Sequence, residues 1–285
     1  MHGIMNRGIG KRSMIRNIIP AVPALLGLTM CSLAAAQDAS WNVHPALQDR
    51  WNFQLGAFFS KVDTSAHLNS STRALGTQIS FENDLGFSDS KTVPSFLGSV
   101  RLGDRWKIEG EYLALNRSSS AAIGRTINWG DKTYTFGTVV SSDFDSDIYR
   151  LSAGYSFVKD DKAELGVALG LHVTDFKLSL NASGIGGQTG DTLAPLPTIG
   201  VYGAYAFTPR WLLSGRVDYF SLNYQDYDGR LLNFSAGVDY RFARNFGVGA
   251  GYRYVDYDLT ATKTKFEGGV NYNFKGPMLY LVGSF

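Results

Sequence analysis

Apolar side chains recur at every second residue in this chain. Beyond residue 36, no apolar run approaches the roughly 18 residues that a membrane helix needs. Together these features point away from helices and toward sheets. In WNFQLGAFF, Trp51, Phe53, Leu55, Ala57 and Phe59 share one face, and Asn52, Gln54 and Gly56 share the other. WKIEGEYLAL sets Trp106, Ile108, Gly110 and Tyr112 against Lys107, Glu109 and Glu111. FGVGAGYRY sets Phe246, Val248, Ala250, Tyr252 and Tyr254 against Gly247, Gly249, Gly251 and Arg253. Period two with one apolar and one polar face is the signature of a strand.

The connections alternate too. RLGDRWKIEG, YSFVKDDKAELGV, YAFTPRWLLSGRV and YRFARNFGVGAG each read strand, tight turn, strand. Incoming strands close with Tyr155/Phe157, Tyr205/Phe207 and Tyr240/Phe242. Outgoing strands open with Trp106, Trp211 and Phe246, in phase with Trp51. The opposite ends are long and polar, as in DTSAHLNSSTRALG, NASGIGGQTG and QDYDGR, with a hairpin extension around TINWGDKTYTF. Short turns at one end, long loops at the other and a ring of aromatics beside the short turns predict a transmembrane β-barrel. The fold expected is all-β: an antiparallel up-and-down barrel of about ten strands, within eight to twelve. The strands are expected near 51–61, 93–102, 106–117, 145–158, 163–176, 196–207, 211–223, 230–242, 246–258 and 276–285, with 76–87 and 121–140 as extensions beyond the membrane. A soluble sandwich also alternates, but it puts apolar residues inward. Here the polar face carries stripes of Gly that suit a narrow lumen, and the aromatics sit at strand ends.

Residues 1–36 read as a cleaved export signal. Arg7, Lys11, Arg12 and Arg16 precede an apolar stretch from Ile18 to Leu33 that ends in Ala34-Ala35-Ala36. Cys31 follows Met30, where lipoprotein processing requires a small residue, so lipidation is not expected. Without these four cations the 27 Lys and Arg fall to 23, against 25 Asp and Glu, and a nucleic-acid partner loses its support. The single cysteine leaves with the signal, so no disulfide or thiol site is expected. The expected organisation is a signal over 1–36, a short periplasmic segment over 37–50 and a barrel over 51–285, in the bacterial outer membrane.

GPMLYLVGSF places Leu279, Leu281, Gly283 and Phe285 on one face of the final strand. With the signal and the repeated hairpins, this resembles the small outer-membrane barrels of Gram-negative bacteria, the OmpA/OmpW-like class, over residues 45–285. Unlike OmpA-type proteins, no peptidoglycan-binding domain is expected after the barrel. The resemblance implies that the insertion machinery reads Leu279, Leu281 and Phe285. It also implies that lipids and lipopolysaccharide surround the barrel. ISFENDLGFSDS, residues 79–90, resembles a segment of uncharacterised barrels and brings no activity.

Candidate chemistry lies on the lumen face. Alternation puts Arg101, Glu109, Glu111, Arg150, Arg216, Asp218, Asp239, Arg241 and Arg253 there, as an interlocking charge network or a pore constriction. Trp51, Trp106, Trp211 and Phe246 are the expected interface aromatics. His172, with Thr174 on its face, is the one catalytic candidate, and His172-Val173-Thr174 only distantly echoes the His-x-Ser of deacylating barrels. Asp143, Asp145 and Asp147 begin a calcium-loop pattern, but Ile148 and Gly154 stand where it needs Gly and Glu. No catalytic residue, metal or cofactor is therefore expected. Arg125, Lys132, Lys263 and Lys265 are loop cations placed to meet lipopolysaccharide phosphates. The expected role is non-enzymatic and structural or surface-interacting. A narrow solute channel is the alternative, followed by a lipid-modifying enzyme around His172.

Overall fold

The computed structural model describes residues 41–70, 75–224, 227–263 and 266–285; the expected signal lies outside them. A single turn of helix α1 (Pro45–Gln48) precedes β1 (Trp51–Leu68). Then come β2 (Ile79–Ser80), α2 (Phe81–Asp84), β3 (Ser90–Leu102), β4 (Trp106–Ala114), β5 (Arg117–Ala122) and a small hairpin of β6 (Ile127–Trp129) and β7 (Lys132–Tyr134). The long strands β8 (Val139–Lys159), β9 (Ala163–Ala182), β10 (Gly186–Thr208) and β11 (Trp211–Tyr224) follow. The chain ends in β12 (Tyr227–Arg241), β13 (Phe246–Lys263) and β14 (Phe266–Ser284).

Among the described residues, ten strands (β1, β3, β4 and β8 to β14) form a closed antiparallel barrel, because β14 pairs with both β13 and β1. The closing register runs from Asn52↔Ser284 to Leu68↔Gly268. Trp51 donates its N–H to the Phe285 carbonyl at 2.8 Å, and Phe285 donates back at 2.9 Å. An unpaired backbone group in hydrocarbon costs several kcal/mol, so a spanning sheet has to close. Tight turns hold the short-loop end. Asp160 accepts from the N–H groups of Lys162 and Ala163, both at 2.8 Å. The Thr208 hydroxyl accepts from Arg210 and Trp211 at 3.2 and 3.1 Å.

The strands run further at the loop end than the alternation alone suggests. β10 has 23 residues, while about 9–11 tilted residues cross a bilayer. The excess is a collar in which the polarity of the two faces reverses. On β9, the outward Leu165, Val167, Leu169 and Leu171 are exposed, then Asp175, Lys177 and Asn181 take their place. Inward, Gly166, Ala168 and Gly170 give way to buried Phe176, Leu178 and Leu180. β1 turns over in the same way, from exposed Phe53 and Leu55 to exposed Lys61 and Asp63, with Phe58, Val62, Ala66 and Leu68 buried inside. Period two is unbroken across the switch; what changes is the outer medium, lipid below and water above.

The expected strand at 106–117 breaks at Ala114 and resumes as β5, which stays paired to β8. Of residues 76–87, the two-residue β2 adds to β1 at the collar and α2 follows it, while the extension around TINWGDKTYTF is the separate β6–β7 hairpin. Phe81 and Leu85 of the α2 segment enter the collar core. Rings pack there edge to face: Phe144 on Phe81 at 4.9 Å and on Tyr272 at 5.5 Å, and Phe176 on Tyr257 at 5.7 Å. Arg117 ties α2 to the wall through Glu82 (2.6 Å) and the Thr64 hydroxyl (2.6 Å).

Candidate functional site

The lumen charges divide into a belt and a second group nearer the short-turn mouth. β4 carries Glu109 and Glu111, β8 carries Arg150, β11 carries Arg216 and Asp218, and β13 carries Arg253. Antiparallel register sets Glu111 directly opposite Arg150. Arg150 binds Glu109 at 2.6 Å and Glu111 at 2.8 Å. Arg216 reaches Glu109 at 3.4 Å and forks onto Asp218 at 2.7–3.0 Å. Arg253 pairs with Glu111 and donates to Asn233 at 3.1 Å, and Asn233 donates to Asp218 at 2.9 Å. The belt side chains are at most 10% exposed. Three guanidiniums face three carboxylates, so the burial cost of each ion is offset only while its partners stay in place.

Arg101 lies outside the belt, holding Glu164 at 2.8 and 3.0 Å. Glu164 also accepts from Ser156 at 2.5 Å. Lys107 sits 3.7 Å from Glu109 and 4.1 Å from the Tyr202 ring centroid. Glu164, Lys107 and Asn233 were not among the expected site residues, although Glu164 stands in phase with Gly166 and Ala168, which was the available signal. Arg241 binds the Ser284 hydroxyl at 2.7 Å, and Asp239 lies beside the Tyr280 hydroxyl. The lumen glycines seat rings: a Cβ on Gly166 would come within 2.4 Å of Tyr202, and one on Gly249 within 2.1 Å of Tyr280.

Below the belt a polar space of about 180 Å³ remains, and the described N-terminal residues stopper its mouth. The segment 37–50, expected only to precede the barrel, packs into it from Trp41 onward, because Leu47 finds an apolar seat against Ala206 and Leu212. Trp41 donates its indole N–H to the Pro209 carbonyl at 2.8 Å, and Arg244 clasps Asp49 at 2.8 and 3.2 Å. Lys159 donates to the Leu47 carbonyl. The His44 ring caps α1 by accepting from Ala46 at 3.3 Å. Burial, aided by Arg241, lowers its pKa to about 3.

Trp51, Trp106 and Trp211 are exposed at the short-turn rim and pair with Phe53, Tyr155 and Tyr240 at 6.3, 5.1 and 4.8 Å. Phe246 is half-buried and meets Phe285 edge to face at 5.7 Å, while Leu279 and Leu281 are exposed on the same outer face. A second aromatic level, with Tyr112, Tyr149, Tyr219 and Tyr252 exposed, lies just under the collar.

His172 is buried beside the belt, 3.3 Å from the Thr198 hydroxyl. Thr174 donates to Tyr257 at 3.0 Å, and Asp175 points to the opposite face of the strand, so the three form no catalytic group. Asp143, Asp145 and Asp147 lie along the outer face of β8 in extended strand, not in a loop. Arg125 is held by Asp84 at 2.5 and 2.8 Å, and that contact keeps the Asp84 carboxyl below its ordinary range. The side chains of Lys263 and Lys265 fall outside the described residues. Instead, Lys61 and Lys275 stand directly opposite one another on the outer face, and Lys91 lines the same hollow of about 420 Å³.

The sequence over residues 24–274 matches the family described as outer membrane protein beta-barrel domain. No curated protein sequence matches the chain. Among solved structures, the outer membrane protease OmpT from Escherichia coli is similar with a TM-score of 0.57 at 12% identity, over 87% of this chain and 99% of that one. The P. putida toluene transporter TodX matches at TM-score 0.34 and 11% identity, over 85% and 92% of the two chains. Ail of Yersinia pestis matches at 0.35 and 11%, over 82% and 98%. At 12% identity the likeness to OmpT shows the barrel fold alone.

Proposed function

Because the chain belongs to the outer membrane protein β-barrel domain family, we propose that it is a non-enzymatic, non-conducting envelope protein whose working surface is the collar. The observation that carries this reading is the belt: six charged side chains, all buried, crowd the lumen at one level and are joined by ion pairs across strands and, for Arg216 and Asp218, along one. A constriction that passes ions needs sites open to them, and here the acids are occupied by arginines. His172 meets the Thr198 hydroxyl through Nδ1, and among the described residues no acid meets its Nε2, which supports the non-enzymatic side.

The collar base adds a specific contact. Like charges directly opposite in a sheet are destabilising, so Lys61 and Lys275 favour an anion between them, and lipid phosphates lie at that level. Purified protein in a planar bilayer is expected to show no discrete conductance steps, and a Glu109→Ala/Glu111→Ala variant is expected to leak. Steps from the unaltered protein would overturn the reading. So would lipid A mass spectra that change with the gene, which would point back to His172.

A further inference from the structure

Above the aromatic floor the collar encloses a second space of about 460 Å³, separate from the polar one below, in the range of small-molecule sites. Phe144 and Phe176 form its floor, Trp129 of the β6–β7 hairpin its roof, and Leu68, Leu196 and Leu259 part of its wall. Apolar cavities of this kind stay dry and take up hydrocarbon.

The wall is open on one side. β10 pairs with β9 without interruption from Gly186↔Ala182 to Tyr205↔Ala163. Its ladder with β11 begins only at Ile199↔Tyr219, so, among the described residues, 186–198 have no partner strand on that side, and β11 pairs onward from Phe220 to Tyr224 with β12 alone. The cause is in the sequence. Pro195 and Pro197 lack N–H donors and share the phase of Ile199, and since the β9 ladder runs past both, the missing donors face β11. Residues of both seam edges, Leu193 and Leu222 among them, line the chamber. Leu222 has the inward phase of Asp218 and Phe220 yet is 47% exposed, as an open seam requires. The seam starts immediately above Tyr219, in the upper aromatic level, and so at the height of the outer lipid interface.

We propose that this chamber binds the hydrocarbon chain of an amphiphile, admitted sideways through the β10–β11 seam. Asp191 and Asp228 at the rim disfavour an anionic head inside it, so a free amphiphile carries an uncharged or cationic head and a leaflet lipid enters by its chain alone, its head staying in the interface. The chain has two possible sources, an outer-leaflet lipid or a free amphiphile.

Trp129 reports directly. With Trp41, Trp51, Trp106 and Trp211 replaced by Phe, it is the only tryptophan left of five. In nanodiscs of lipid brominated along its acyl chains, loss of Trp129 fluorescence identifies a leaflet chain. In unbrominated nanodiscs, saturable loss on adding a bromo-alkanol identifies a free one. Ala194→Phe, which fills the chamber, is expected to abolish either loss. Full emission in both settings, or quenching that survives Ala194→Phe, overturns the proposal. If the four-Phe protein does not assemble, the unaltered protein in urea gives the same decision. Its unfolding midpoint rises with added alkanol and that of Ala194→Phe does not; equal responses overturn the proposal.

Discussion

Three arginines placed along β9 test the reversal of faces on a single strand. Leu169 points outward and is 68% exposed, level with Ile199 and Ala153 in the middle of the span. Arg there has to sit in hydrocarbon, at a cost of about 2–4 kcal/mol. Leu178 points inward in the collar and is 4% exposed. Leu178→Arg removes a packed side chain and puts a charge into the apolar chamber, whose acids Asp191 and Asp228 sit only at the rim, so its cost is about 3–5 kcal/mol. Asn181 points outward at the top, exposed to water, and Asn181→Arg is expected to stay within about 0.5 kcal/mol. Urea unfolding in phosphatidylcholine vesicles, followed by tryptophan fluorescence and by heat-modifiable gel mobility, measures all three. A neutral Leu169→Arg would mean that the lower outer face does not meet lipid. Equal penalties at Leu178 and Asn181 would mean that the collar has no water-facing side.

Glu111 serves both Arg150 and Arg253, so Glu111→Gln is expected to cost about 3–5 kcal/mol in the same assay, and adding Arg253→Met should recover part of it. Additive losses would show that the belt is not coupled. The docked α1 segment should loosen in acid. The docked His44 pKa is lowered, so docking is at full strength above the free value of about 6.5 and weakens as pH falls, by about 2 kcal/mol at pH 5. Hydrogen exchange of residues 44–49 compared at pH 7 and pH 5 reads this, and pH-independent protection would refute it. Removing Phe285 takes away both its backbone pairing with Trp51 and its ring contact with Phe246, and a reduced yield of assembled barrel in cells is expected. Normal yield would end the role assigned to that ring.

How much of this was legible depended on which medium each face meets. Trp51, Phe53 and Leu55 announce lipid by themselves, and once closure is granted, Glu109, Arg150 and Arg253 have to point inward. The collar is written in the same alternating code with the sign reversed. KVDTSAHL continues β1 with Val62, Ala66 and Leu68 in the phase that held Asn52 and Gln54. Read for period alone, that stretch looks like a polar loop, so the expected strands at 51–61 and 163–176 stop near the point where the faces exchange. The missed elements have a different cause. Glu164 became a site residue only through Arg101 of β3, with β8 and β4 between their strands, a contact made through the lumen that no single strand reveals; Lys107 joined through Glu109 of its own strand. The chamber depends on Pro195 and Pro197, plain in the sequence as residues without an N–H. Their consequence appears only when β9 is seen to pair past them and β11 is not, because a missing donor has a direction only relative to a neighbouring strand.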